Sequence, residues 1–205
     1  MRNDRNLRGI IVNPKTRREI KFESGHERDA AYLLIASPDV VDVIEQPPAV
    51  PYVDSQGKQH WHTFDLAARL TSGERGAYPV KATSMVERSG IAEELNHIRD
   101  QGSAPWADRI CLRTGEHMSR DAADNARLIA DATRWKNAAD VEVVREFART
   151  LVGSIAIRTL TDATIPAAAG MQAVLCLLAE GFLNLSGTGL IEYSSHVQLW
   201  TKPTN

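Results

Sequence analysis

Hydrophobic and polar positions change period several times along the chain, and each change marks an element. Gly9-Ile10-Ile11-Val12 and Ile20-Lys21-Phe22 are short β-type runs around the turn residues Asn13-Pro14-Lys15-Thr16. Ser24-Gly25-His26-Glu27 matches the capping box S-x-x-E, and Ala30, Ala31, Leu33 and Leu34 continue it as the apolar face of a helix stopped at Ser37-Pro38. Residues 40–44 are a β-branched strand closed by Gln46-Pro47-Pro48. Residues 51–53, the turn Asp54-Ser55-Gln56-Gly57 and residues 60–70 predict a hairpin. A second turn at 71–74 leads into extended chain over 76–83. A helix over 91–100, a strand over 108–113 and a helix over 119–134 complete a first domain, residues 1–135. Strands followed by alternating helix and strand place it in the α/β or α+β class.

The pattern over 136–205 differs. Residues 141–152, 154–161 and 167–180 read as helices, the last stopped by Gly181. Residues 182–185 and 197–200 read as strands, with the glycine turn Ser186-Gly187-Thr188-Gly189 after the first of them. Three helices and a β-hairpin are a winged-helix outline.

Composition adds little until charge is located. The 205 residues carry a formal charge of −2 and 43% hydrophobic residues, an ordinary globular balance. The first 22 residues hold seven basic against two acidic side chains, a local +5. From Trp135 onward five basic residues face six acidic ones, and the third helix of that region offers Ala167, Ala168, Ala169, Met171 and Gln172. A DNA-recognition helix needs cations around its base-reading side chains; the composition points instead to docking a protein partner. No apolar run reaches the roughly 20 residues of a membrane span, and the polar start Met1-Arg2-Asn3-Asp4-Arg5 is unlike a signal peptide. Cys111 and Cys176 have no CxxC partner and read as buried free thiols. The expectation is a cytoplasmic protein without a membrane partner, with self-association into a homo-oligomer left open.

Three residues carry the candidate chemistry. Glu27 shares a helix face with Ala31 and Leu34, where an acid needs a cap, a partner or a metal. Asp65 lies in Trp61-His62-Thr63-Phe64-Asp65-Leu66-Ala67, a run read as strand, although Asp is a poor strand former. Lys81 closes Tyr78-Pro79-Val80-Lys81 one hairpin later. A hydrolytic Mg²⁺ site needs hard oxygen ligands and an ammonium near the scissile phosphate. His60 and His62 suggest a transition-metal pair, but strand alternation puts both on the face away from Asp65, which argues against a shared ion.

Glu on a helix, Asp on a second strand and x-Val-Lys on a third follow the order of the restriction-endonuclease-like core. With Glu23-Ser24-Gly25-His26-Glu27-Arg28, Pro38-Asp39-Val40, Glu45-Gln46-Pro47, His62-Thr63-Phe64-Asp65, Tyr78-Pro79-Val80-Lys81 and Leu178-Ala179-Glu180-Gly181, the chain resembles the TnsA-type transposon endonucleases. These belong to the PD-(D/E)xK nuclease superfamily and carry a C-terminal winged-helix domain. The resemblance implies a restriction-endonuclease-like mixed sheet flanked by helices. It implies Asp65, the Val80 carbonyl and Glu27 as ligands of Mg²⁺, with Mn²⁺ as a substitute, and Lys81 as the residue orienting the attacking water. It implies double-stranded DNA as substrate, with a transposase subunit and a regulatory ATPase as partners. Arg17, Arg18, Lys21 and Arg28 are the cations expected to hold DNA. One position departs from the pattern: Pro79 stands where an acid or Gln belongs. Glu87, from the following segment, is a replacement to be tested. Loss of a ligand leaves a catalytically silent DNA- or protein-binding subunit, of a mobile-element or phage assembly, as the alternative to an active enzyme.

Overall fold

Short apolar runs become strands wherever turn residues separate them. The computed structural model describes residues 7–200; Arg2, Asp4, Arg5 and Lys202 lie outside the described residues. Strands β1 (Gly9–Val12) and β2 (Glu19–Phe22) pair antiparallel, with Ile11 and Ile20 turned inward. Helix α1 (Gly25–Ala36) buries Ala30, Ala31, Leu34 and Ile35. Strand β3 (Val40–Glu45) precedes a separate hairpin of β4 (Val50–Val53) and β5 (Gln59–His62). Strands β6 (Leu66–Leu70) and β7 (Arg75–Tyr78) follow. Helices α2 (Val86–Ser89) and α3 (Ile91–Asp100) then lead to β8 (Arg109–Ile110).

The main sheet has the order β3-β6-β7-β8. Its first three strands form an antiparallel meander, and β8 runs parallel to β7. A parallel neighbour requires a crossover, which α2 and α3 provide. The first unit is therefore mixed α/β, a mixed sheet flanked by helices. Val50, Phe64, Ala77, Ile91, Leu95 and Ile98 form the core between sheet, hairpin and α3. Phe64 is fully buried and meets Trp106 edge to face at 5.5 Å.

Two strand expectations are corrected. Residues 60–70 are not one strand: the chain leaves β5 at His62 and enters β6 at Leu66, with Asp65 in the bend between them. Burial of Phe64 decides this, because the chain must break from the hairpin to seat that ring in the core. The strand expected over 108–113 shrinks to Arg109–Ile110 plus a single parallel bridge between Val80 and Arg113. The Cys111 N–H donates to Ala77 O and the Arg113 N–H to Pro79 O, but Pro79 has no N–H to return the intervening rung.

The second unit contains α4 (Arg120–Arg134), α5 (Ala138–Ala148), β9 (Ser154–Ala156), α6 (Ile157–Asp162), α7 (Ala167–Ala179), β10 (Leu183–Leu185) and β11 (His196–Leu199). Its strands pair antiparallel in the order β10-β11-β9. Residues 154–161, read as one helix, are thus strand then helix. Tertiary contacts group residues up to Ile35 with Asp39–Ser119, and Ala36–Pro38 with the chain from Arg120. The division falls at 119/120 rather than 135. The small residues Ala123, Ala126 and Ala130 give α4 a buried face, and it packs on α7. Helix α7 is buried over Gly170 and Ala173–Ala179. At Gly170 a Cβ would sit 1.9 Å from the Ile165 carbonyl oxygen, so only glycine fits there. Both cysteines are free; Cys176 is buried, whereas Cys111 is only partly so.

Candidate functional site

Asp65 is held from two sides. Its backbone carbonyl accepts the Gln46 N–H at 3.0 Å, one rung beyond the β3–β6 ladder. Its Oδ2 accepts the Val80 N–H at 2.7 Å. The β6–β7 register pairs Leu66 with Tyr78 and Ala67 with Ala77. Extending that register by one rung sets Asp65 opposite Pro79, the position at which the nuclease pattern calls for its second acid. By strand alternation Asp65, Pro79 and Lys81 share the face of Ala67 and Ala77. Val80 sends its N–H toward Asp65, and a strand residue's N–H and C=O point the same way, so its carbonyl faces that side too. The neighbouring groups Pro79 O and Lys81 N point to Arg113 instead.

Charge gathers on Asp65. Burial raises its carboxyl above the ordinary aspartate range, opposed by the Val80 N–H bond. The Glu27 carboxylate pushes it further up, and Lys81 and His62 pull it down. Glu27 on α1 and Lys81, three residues beyond β7, thus both act electrostatically on Asp65 in the bend before β6. Glu87 stands exposed on α2 and is not among the charges acting on Asp65.

Glu27 also does the local work its motif predicts. The Ser24 hydroxyl donates to Glu27 Oε1 at 2.9 Å, the Glu23 N–H donates to Oε2 at 2.7 Å, and the Glu27 N–H donates to Ser24 Oγ at 3.1 Å. The reciprocal cap fixes the carboxylate at the start of α1. Each oxygen keeps a lone pair, so capping does not prevent binding through water. At the same end of the unit, a Cβ on Gly115 would lie 3.1 Å from Thr83 Oγ1 and 3.9 Å from His26 Nε2.

No known protein-family model matches the chain, and no curated protein sequence matches it significantly. The site has to be read from its own geometry.

The four expected DNA-binding cations differ in availability. Arg17 and Lys21 are exposed, Arg17 at positive φ in the β1–β2 turn. Arg18 pairs with Asp42 at 3.5 Å and Arg28 with Asp29 at 2.9 Å. A further cation, Arg113, lies with its guanidinium 5.2 Å over the Tyr78 ring.

The sequence reading missed His62. Alternation assigned it to the far side from Asp65, but the break after β5 removes that premise and brings it within electrostatic reach of the carboxyl. It is only 8% exposed. Its Nδ1 lies 2.9 Å from Glu94 Oε1 on α3, and its Nε2 is buried without a hydrogen-bond partner. His60 instead bonds Asp54 and stacks on Tyr52 at 5.3 Å. The two histidines thus serve different partners. Among the described residues, no three His, Cys, Asp or Glu side chains are grouped to hold a metal by themselves. No helix among them is long and apolar enough to cross a membrane.

The donor set suits Mg²⁺ in chemistry and number. Asp65 Oδ1 and the Val80 carbonyl are hard oxygens on one side of β7, and Glu27 can act through water. Mg²⁺ commonly retains several waters and takes only one or two carboxylates.

Proposed function

We propose that the chain is a Mg²⁺-dependent DNA endonuclease of the PD-(D/E)xK type, resembling the TnsA transposon endonucleases. The observation that carries this reading is the seating of Asp65 against the Val80 N–H, with Glu27 and Lys81 acting on the same carboxyl. The order α1, three-stranded meander, crossover helix and parallel fourth strand supports a restriction-endonuclease-like core. The order α5, β9, α6, α7, β10, β11 supports a winged-helix-like second unit.

Asp65 and the Val80 carbonyl would hold the cation, with Glu27 joined through water. Bound Mg²⁺, or Mn²⁺ in its place, would supply Lewis-acid charge at the scissile phosphate. Lys81 would orient the attacking water and offset negative charge on the phosphoryl oxygens. Arg17 and Lys21, both exposed, are the cations best placed to hold the DNA backbone. A transposase subunit and a regulatory ATPase are the partners the resemblance implies.

The test is nicking of supercoiled plasmid in Mg²⁺ and in Mn²⁺, with Asp65→Ala and Lys81→Met prepared alongside. Nicking by the unmodified protein that both variants lose by at least about a hundredfold is expected. Equal nicking by all three proteins would assign the activity to a contaminant.

A second reading, a catalytically silent assembly subunit, is favoured by Pro79 and by the second unit's surface. Lys136, Arg145 and Arg149 are each committed to a carboxylate, and Arg158 lies over the Tyr193 ring. Trp135 is 74% exposed and Val152 fully so. That surface suits a protein partner better than a phosphate backbone. Absence of nicking even with a transposase partner added would favour this reading.

A further inference from the structure

We infer that the groove over Ala67 seats an unpaired nucleobase of the DNA strand, beside the candidate cleavage site. The inference rests on the nuclease reading above and deepens it by naming the form of the substrate. That form is DNA with one nucleotide out of the stack, rather than an unbroken duplex.

The register of the main sheet builds the groove. Across β3, β6 and β7 it sets Ile44 beside Ala67 and Ala67 beside Ala77. Two residues away along each strand it sets Asp42 beside Arg69 and Arg69 beside Arg75, so both ranks share one face. The core that α3 closes includes Ala77 but not Ala67. Alanine is too short to fill the space left above β6, and a cavity of about 290 Å³ remains. Ile44, Pro47, Ala67 and Trp106 give it apolar walls. The Trp106 indole is fixed edge to face against buried Phe64, 5.5 Å away. Ligand pockets run from roughly 300 to 1,000 Å³, so this one suits a single ring system.

Charge at the rim narrows the choice of ligand. Asp42 is occupied: its Oδ1 accepts the Val43 N–H at 2.9 Å and its Oδ2 pairs with Arg18 at 3.5 Å. Arg75 is held by Asp108 at 3.2 Å. The Arg69 guanidinium is exposed and has no hydrogen bond or ion pair among the described residues. An apolar floor, an aromatic wall and one free guanidinium match a base joined to a phosphate. Position ties that ligand to the candidate site. Ala67 is two residues beyond Asp65, about 7 Å along extended chain. Pro47 follows Gln46, whose N–H the Asp65 carbonyl accepts at 3.0 Å. A base enters such a pocket only when it has left the stack of a duplex.

The experiment uses the full chain in EDTA, so that no strand is cut. The probes are two fluorescein-labelled duplexes, one fully paired and one with a single bulged adenine. Fluorescence anisotropy should show the bulged duplex bound tighter by at least about tenfold, the effect of stacking one base. Ala67→Leu fills the groove and should bring that ratio to about one, with the paired duplex bound as before. Arg69→Gln should weaken binding of the bulged duplex and lower the slope of its salt dependence by about one. In the unmodified protein, a bulged 5-iodouracil should photocrosslink to Trp106, located by peptide mass spectrometry.

Equal affinity for the two duplexes would overturn the inference, as would a preference that survives Ala67→Leu. A crosslink at exposed Trp61 or Trp135 in place of Trp106 would overturn it even if Ala67→Leu fails to fold. Displacement of the bulged duplex by micromolar deoxyadenosine monophosphate would make the groove a free-nucleotide site and overturn the assignment to a DNA strand. If any of these occurs while Mg²⁺-dependent nicking is still lost with Asp65→Ala, the nuclease reading stands without its base pocket. Failure to bind either duplex or to nick plasmid would overturn both.

Discussion

Replacing Asp65 separates the two roles its position imposes. Its carboxyl is buried, and burial is the largest influence raising its pKa, ahead of the Val80 bond that lowers it. An acid whose folded pKa lies above its unfolded value binds more protons when folded, so stability falls as pH rises from the unfolded pKa through the folded one. Ionising the buried carboxyl as pH rises therefore costs the fold stability. Asp65→Asn removes that charge while its amide oxygen still accepts the Val80 N–H, now bonded at 2.7 Å. Asp65→Ala removes both, leaving the N–H of the buried Val80 unpaired, a cost of about 1–3 kcal/mol. In urea titrations at pH 7.5 with EDTA, Asp65→Asn should be at least as stable as the unmodified protein. Asp65→Ala should fall below Asp65→Asn by about 1–3 kcal/mol, with faster exchange of the Val80 amide. The gap between Asp65→Asn and the unmodified protein should close as pH is lowered below about 4, where the unfolded carboxyl also protonates. An Asp65→Asn protein less stable than the original at neutral pH would refute the burial argument. Equal stability of the two variants would refute the role assigned to the Val80 bond.

Glu27 can be divided in the same way: Ser24→Ala should cost about 0.5–2 kcal/mol through the cap and leave nicking intact, whereas Glu27→Gln should keep most of the cap and lose nicking. Thermal unfolding and the plasmid assay read the two effects separately. Gly170→Ala should destabilise the second unit by about 1–3 kcal/mol or more, because a Cβ would meet the Ile165 backbone carbonyl and not a yielding side chain; circular dichroism melting checks it. A fragment of residues 120–205 should unfold cooperatively, whereas 136–205 should not, since it lacks the α4 alanines that pack against α7. Urea titration of both fragments, read by circular dichroism, gives the comparison.

Much of the local architecture was legible in the chain. The capping box named both the start of α1 and the residue whose carboxylate is fixed there, because capping is a set of bonds between neighbours three or four residues apart. Turn residues at 13–16, 54–57 and 71–74 separated the strands they were expected to separate. The order of Glu27, Asp65 and Lys81 was readable for the same reason: order is a property of sequence. Alternation failed at His62 because it presumes an unbroken strand from there to Asp65, and the demand to bury Phe64 breaks this one. The boundary at 135 failed because α4 is amphipathic in isolation, and only α7 determines which unit covers its alanines.

The sequence by itself determined the turns, the helix cap, the uneven charge and the identity of the residues proposed to hold a cation or orient water. Each of these is set by chemistry within a few residues. Tertiary structure alone decided that Asp65 lies just outside the β6–β7 ladder and receives the Val80 N–H on its carboxylate. It also decided that His62 lies within reach of that carboxyl with one nitrogen unbonded. Those relations depend on register, and register is fixed by which side chains the core must bury rather than by any pattern along a single strand.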